Sequence, residues 1–106
     1  MTVSLFAHYK LPEDMQAFDA HYFSTHLPLA QAMPGLIEAR LHRITGAPMG
    51  QPDLYFICEL VFPDGAALKA AMASPEGMAA AKDLMKFAGP LVKMYIAQTA
   101  TSPVTA

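Results

Sequence analysis

The chain has 106 residues, 54% of them hydrophobic and 15% charged, a length typical of one domain and a composition too apolar for a disordered protein. Its formal net charge of −2 provides no basic surface for a phosphate backbone, so we expect no nucleic acid partner. The single cysteine, Cys58, excludes an intrachain disulfide, and it also excludes an iron–sulfur cluster or a multi-cysteine zinc site held by one chain. Because the sequence shows neither a secretion signal nor a membrane-spanning stretch, we expect a cytoplasmic protein without a membrane partner.

The first half of the chain shows the pattern of a strand followed by a helix. Apolar residues alternate at period two within the first ten residues, which predicts a strand. Pro12, followed by Glu13 and Asp14, is typical of a first helical turn, because proline presets the helical φ and acidic groups favour that end of the helix dipole. Pro28 should then break or restart the helix near Thr25.

The second half predicts three strands and a helical region divided in two. Ser74-Pro75-Glu76 has the pattern of an N-cap with proline at the first helical position, which separates two helices. Composition and turn signals then give the predicted elements: strands over 36–45, Leu54–Phe62 and 91–99, and helices over 66–73 and 75–85.

The element order is strand, helix, strand, strand, helix, strand, which predicts an α+β protein with a ferredoxin-like plait. In that fold a four-stranded antiparallel sheet carries its helices on one face. The other face would then be bare, and an apolar face of four strands is larger than the apolar patches that soluble monomers usually expose. We therefore expect a homodimer that closes face to face into a dimeric α/β barrel. We expect residues 1–100 to form this single domain and residues 101–106 to form a frayed tail.

His26 is the main candidate for chemistry. It falls at the expected helix interruption near the apolar stripe of Phe18, where an imidazole could act as general acid or base, or as a ligand. The alternative is a core histidine that caps backbone carbonyls. Cys58 is interpreted as a buried thiol, and Glu59, in the same apolar strand, must reach solvent or pair with a group such as Arg40.

The sequence assigns no functional role to two further polar residues, His21 and Asp83. On a continuous α-helix His21 and His26 would be separated by about 140°, so they should not share a metal. Asp83, beside Lys82 in the last helix, is expected only to solvate the exposed side.

Several short motifs occur in a fixed order: Pro12-Glu13-Asp14, Phe18-Asp19 with Tyr22, Thr25-His26-Leu27-Pro28-Leu29, Pro34-Gly35-Leu36, and the 55–62 strand followed by Ala71-Met72. Their order and spacing resemble the EthD family of small dimeric α+β barrel proteins over most of the chain. The resemblance implies a face-to-face dimer and a place in bacterial catabolism, notably ethyl tert-butyl ether degradation. No flavin, nicotinamide or iron–sulfur signature accompanies it, so we expect no cofactor and no metal.

Methylmuconolactone methylisomerases have a similar length and element order, and they use a histidine, a tyrosine and a cysteine. Their histidine position maps onto His26. Their tyrosine position falls on Ala39, and their cysteine position falls near Leu60, two residues from Cys58.

The sequence therefore predicts a cavity that accepts a small, largely apolar organic molecule, with His26 as its acid/base group. The residues expected around His26 are Phe6, Tyr22, Arg43, Phe56 and Cys58. Two classes remain open: an isomerase or oxidoreductase type of enzyme, or a non-catalytic ligand-binding or accessory protein of an oxygenase system.

Overall fold

The computed structural model describes residues 1–102, and the last four residues of the predicted tail lie outside this range. The helices and strands follow the chain as β1 (Val3–Lys10), α1 (Met15–His21), a π-helical turn (Tyr22–His26), α2 (Leu27–Gln31), β2 (Glu38–Arg43), β3 (Leu54–Phe62), α3 (Gly65–Ala73), α4 (Pro75–Ala88), a 3₁₀ turn (Gly89–Leu91) and β4 (Val92–Gln98). The predicted element order is confirmed, β3 has the predicted bounds, and β2 and β4 are shorter than predicted. Thr101 and Ser102 are exposed and belong to no helix or strand.

The four strands form one antiparallel sheet in the order β2-β3-β1-β4. Phe6 of β1 lies opposite Glu59 of β3 on one side and Tyr95 of β4 on the other, and Glu59 in turn lies opposite Arg40 of β2. This arrangement confirms the predicted α+β, ferredoxin-like fold.

Side-chain caps determine where the helices start. Asp14 precedes α1 and its carboxylate accepts a hydrogen bond from the Ala17 amide at 3.0 Å. The prediction of a first turn at Pro12-Glu13-Asp14 was therefore wrong, because α1 begins three residues after Pro12, at Met15, and Asp14 is its N-cap. Ser74 caps α4, with Oγ accepting from the Gly77 amide at 3.0 Å, and Pro75 follows at the first helical position as predicted. Each cap satisfies a backbone N–H that the helix itself leaves unpaired.

The helix that contains Pro28 does not break. The backbone stays helical from α1 into α2, and the Leu27 amide donates to the Tyr22 carbonyl, which is the wider i to i+5 bonding of a π turn. Proline lacks an N–H and its ring collides with the carbonyl four residues earlier in an α-helix. The π turn opens the backbone before Pro28, and α-helical bonding restarts at Leu27. The predicted restart near Thr25 is therefore present, as a π turn between two α-helical pieces and not as a break in the helical backbone.

The hydrophobic core lies on one face of the sheet. The side chains of Val3, Leu5, Ala7 and Tyr9 point from β1 into the core and pack against helix residues such as Leu84. The alternate residues of β1 and its neighbours face the other way, and Phe6, His8 and Tyr95 are all partly or largely exposed there. The helical layer therefore covers one sheet face and leaves the opposite face open.

Two helices meet at unusually close range on the covered face. Gly77 of α4 is buried against α3, and a Cβ built on it would lie 2.0 Å from the Ala71 carbonyl oxygen and 2.9 Å from the Met72 Cα. Only a residue without a side chain allows this approach. The contact sets the spacing of α3 and α4.

Candidate functional site

A cavity of about 140 Å³ lies between the sheet and the segments that contain α2 and α4. Its inner wall is aliphatic, and three partly exposed methionines, Met72, Met85 and Met94, stand at its mouth. Within the described residues 1–102, the lining is Leu5, His26, Ala30, Met33, Leu60, Met72, Gly77, Ala80, Ala81, Leu84, Met85 and Met94. Of these residues, only His26 has an ionisable side chain.

The imidazole of His26 is held by a carboxylate on α4. Its Nδ1 lies 3.0 Å from Asp83 Oδ2, and because an ionised carboxylate can only accept, Nδ1–H is the donor. Nδ1 is thereby occupied, and Nε2 is the ring nitrogen available to a molecule in the cavity. The side chain of His26 is 8% exposed and that of Asp83 14%, so the pair is shielded from bulk water.

His21 completes the cluster from the solvent side. Its Nε2 lies 2.9 Å and 3.1 Å from the two oxygens of Asp83, and the His21 side chain is 37% exposed. The ring of Phe87 lies close to both imidazoles, with centroids at 4.5 Å from His21 and 5.1 Å from His26. Asp83 is therefore fixed by two donors, and both imidazoles are held against one aromatic ring.

The π turn is the reason that the two histidines reach the same carboxylate. An α-helix would turn residues five positions apart by about 140° relative to each other, whereas i to i+5 bonding brings such residues close to one face. The two histidines, which were expected not to share a metal, share the Asp83 carboxylate, so the prediction that Asp83 only solvates the exposed side of the helix was wrong. The separation of about 140° does not apply here because residues 22–26 form a π turn and not α-helix.

Burial lowers the pKa of His26 below its ordinary value of 6.5, and the nearby Asp83 carboxylate opposes that shift without cancelling it. His26 is therefore neutral at neutral pH, with a free lone pair on Nε2. A neutral imidazole is the form that a general base requires.

We expect acidification to destabilise the protein through His26. Because the native state holds the proton less tightly than the unfolded chain, the free energy of unfolding should fall as the pH drops below about 6.5 and should level off below the pKa of the folded protein. An NMR titration of the His26 ring should give a pKa below 6.5, and His26→Asn should remove part of the pH slope in urea melts. A measured pKa at or above 6.5, or an unchanged slope in the variant, would contradict this.

The other residues predicted around the cavity lie elsewhere. Phe6 is on the open sheet face. Tyr22 and Phe56 pack together in the aromatic core with ring centroids 4.9 Å apart, and Cys58 is a buried member of the same core. Arg43 reaches Asp19 at 3.4 Å and lies over the ring of Tyr55, so its guanidinium is directed away from the cavity. Of the predicted set, only His26 lines this cavity.

Cys58 and Tyr22 are kept in their protonated forms by their surroundings. Desolvation raises the pKa of the Cys58 thiol, and it raises the pKa of the Tyr22 hydroxyl even more. Since the thiolate is the reactive form of cysteine, Cys58 is a poor nucleophile in this position. Its buried placement matches the interpretation of a packed, inert side chain.

Glu59 lies on the open sheet face and is only 6% exposed. Its carboxylate accepts from Ser4 Oγ at 2.9 Å and lies 3.3 Å from His42 Nε2 and 3.6 Å from Arg40 Nη1. The expectation that Glu59 pairs with a group such as Arg40 is confirmed. The sheet separates this group of polar residues from His26, so Glu59 does not belong to the cavity.

A sequence profile of the EthD domain matches residues 10–91 of the chain. The chain belongs to the EthD family. Among its EthD relatives, a crystal structure of an ethyl tert-butyl ether d (EthD) family protein from Bacillus halodurans superposes with a TM-score of 0.91 at 47% identity, and the match covers 94% of this chain and 100% of that one. An 11.0 kDa protein of Rhodococcus erythropolis, encoded in the thcB–thcC intergenic region, is 36% identical over 93 residues, which are 88% of this chain and 90% of the relative.

A dimeric ferredoxin-like protein from Jannaschia superposes on this EthD chain with a TM-score of 0.68 at 19% identity, covering 93% of this chain and 100% of that one. This likeness concerns the fold. Among the residues that the structure describes, no helix combines the length and apolarity needed to cross a bilayer.

Sequence reasoning missed Asp83, the residue that positions His26. One usable signal was present: Asp83 interrupts the run of apolar residues and lysines in α4 one position before the buried Leu84. A carboxylate so close to a buried helix face needs a donor, and the histidines of the helix packed against it are the obvious candidates.

Proposed function

We propose that this EthD protein is an enzyme of small-molecule catabolism that binds a small, largely apolar organic molecule in the cavity and uses His26 as its acid/base group. The observation that carries the proposal is the isolated position of His26: it is the one ionisable group in an apolar lining, with Asp83 fixing its Nδ1. A buried imidazole oriented by a carboxylate has a defined tautomer and can exchange a proton at Nε2.

The reactions that suit this arrangement are those in which one group both removes and returns a proton, as in an isomerisation. A neutral His26 would accept a proton at Nε2, and the resulting imidazolium would be stabilised by the Asp83 carboxylate until it returned the proton to another atom of the substrate. The family name of the Bacillus halodurans relative includes ethyl tert-butyl ether, which supports a role of this chain in the catabolism of small organic molecules.

The second candidate is a non-catalytic ligand-binding or accessory protein of an oxygenase system. One observation favours it: no second ionisable side chain lines the cavity, whereas many acid/base enzymes place two such groups around the substrate. A ligand-binding protein requires the cavity, but it does not require His26 to gain and lose a proton.

A homodimer is also part of this proposal. The open sheet face carries aromatic side chains such as Phe6 and the half-exposed Tyr95, and the relative from Jannaschia is described as dimeric. Burying these side chains against a second copy would remove apolar surface that a monomer leaves in water.

Native mass spectrometry of the purified protein tests ligand binding and assembly together. The expected spectrum shows a mass near twice 11.4 kDa with a small organic adduct. In Ala81→Phe the new ring should fill the cavity mouth, so the adduct should be lost while the dimer mass remains.

The matched control is Ala79→Phe, because Ala79 is exposed on the same helix and does not line the cavity. That variant should keep both the dimer and the adduct. An adduct that persists in Ala81→Phe would place the ligand elsewhere and contradict the proposed site, and a monomer mass would contradict the proposed dimer.

A further inference from the structure

We propose that the ligand of this cavity is an uncharged hydroxyl compound of about six to eight non-hydrogen atoms, such as a cyclic alcohol, whose O–H donates to His26 Nε2. This inference deepens the proposed function, because it takes the cavity as the binding site and specifies the chemical class that the site selects. It rests on three features of the site: its size, the direction of its one hydrogen bond, and its charge.

The size of the cavity limits the number of atoms that it can hold. A cavity of about 150 Å³ lined by aliphatic and aromatic side chains accommodates benzene, and this cavity measures about 140 Å³. The flexible methionines at its mouth, Met72, Met85 and Met94, can adapt to one or two further atoms. A ring of six carbons with one small substituent therefore fits, whereas a fused bicyclic compound does not.

The hydrogen bond to Asp83 determines what His26 offers the ligand. Because Nδ1–H donates to the carboxylate at 3.0 Å, the neutral ring presents a lone pair, and not an N–H, at Nε2. Burial lowers the pKa of His26, which keeps the ring in this neutral form at neutral pH. A lone pair binds a hydroxyl donor, so a ketone or an ether of the same shape gains no hydrogen bond from it.

The charges around the cavity exclude an acidic ligand. No lysine or arginine lines it, and Arg43 is held by Asp19 on the outside of the aromatic core. The Asp83 carboxylate stands behind the imidazole at 3.0 Å. A ligand carboxylate would lose its water without gaining a cation and would also face this negative charge, which makes its transfer into the cavity unfavourable.

Three probes of nearly equal size test the hydrogen bond and the charge separately: cyclohexanol, cyclohexanone and cyclopentanecarboxylate. Each is titrated at pH 7.5 into the ¹⁵N-labelled protein, and binding is followed by NMR. Cyclohexanol should bind at least about threefold more tightly than cyclohexanone, a modest net gain for one hydrogen bond. Cyclopentanecarboxylate should bind at least about tenfold more weakly than cyclohexanol.

Two variants assign the discrimination to its source. His26→Phe removes the acceptor and should bring the affinities of the alcohol and the ketone within about twofold of each other. Asp83→Asn removes the negative charge, and its amide can donate to Nδ1, which places the ring proton on Nε2. Both changes favour an anion, so this variant should reduce the penalty on the carboxylate at least about threefold. Because each variant is compared across three ligands, a general loss of stability would not imitate either result.

The outcomes distinguish this inference from the proposed function. If the ketone binds as tightly as the alcohol, or the carboxylate binds as tightly as either, the proposed ligand class is wrong while the cavity remains a binding site. If none of the three binds, the class is also wrong, and the native adduct still decides the proposed function. If all three bind equally well to Ala81→Phe, the cavity is not their site, and the proposed function fails as well.

Discussion

His26→Asn should lower kcat on an identified substrate by about 10²–10⁴-fold, the usual contribution of a general acid or base. Asparagine can keep a hydrogen bond to Asp83 but cannot take up a proton, so the shape of the cavity is retained and its chemistry is lost. The affinity for the substrate should stay within about tenfold of the wild type, because most of the lining is aliphatic and unchanged. Steady-state kinetics and a direct binding titration on the same samples give both quantities.

The companion variant is Asp83→Asn. The amide can donate to Nδ1, which favours the wrong tautomer of His26, so kcat should fall while His26 itself remains. In this variant the pH profile should also change, because the charge that favours the imidazolium has been removed. Unchanged kcat in His26→Asn would rule out His26 as the acid/base group, whereas a wild-type protein that binds the molecule without converting it would be a ligand-binding or accessory protein.

Gly77→Ala should lower the free energy of unfolding by about 3 kcal/mol, which is at the upper end of the cost of overpacking. The added Cβ would lie 2.0 Å from the Ala71 carbonyl oxygen, and this obstacle is backbone that cannot rotate away. In a helix interior alanine is ordinarily more favourable than glycine by about 1 kcal/mol. The expected loss of stability in Gly77→Ala is therefore opposite in sign to the change that helix propensity alone predicts. Urea melts at one protein concentration measure the difference.

Gly65→Ala provides the matched control. Gly65 also lies in the first turn of a helix, and a Cβ built on it meets nothing within 4 Å, so this variant should be neutral or slightly stabilising. If Gly77→Ala proved as stable as Gly65→Ala, α3 and α4 could separate without cost, and the spacing of the two helices would not depend on the glycine.

The fold could be predicted from the sequence because its strongest signals are local. The apolar run of Leu54–Phe62 and the Ser74-Pro75 cap act through backbone preferences of neighbouring residues, and both elements form where the sequence indicates. The start of α1 was placed early because Asp14 suits either a first turn or a cap, and only the cap geometry separates the two.

The candidate site was predicted less well because its geometry depends on tertiary packing. His26 was identified from its place beside the apolar stripe, but the identity of its partner depended on which helix packs against it. Arg43 and Cys58 lie on the helix-facing side of the sheet, but the sequence does not indicate which part of the helical layer each side chain meets. The register places Cys58 on the helix-facing side, yet the aromatic cluster of Tyr9, Tyr22 and Phe56 fills the space beside it.

The π turn at Tyr22–His26 has a consequence for how this site can vary. A π turn is geometrically an α-helix with one extra residue, so the alignment of His21 and His26 on Asp83 depends on chain length through residues 22–25. Substitutions there can change packing without moving either imidazole, whereas losing one residue would restore α-helical bonding and rotate His26 by about 100° relative to α1. In alignments of related chains, an insertion or deletion in this segment is therefore a better marker of a changed site than any substitution within it.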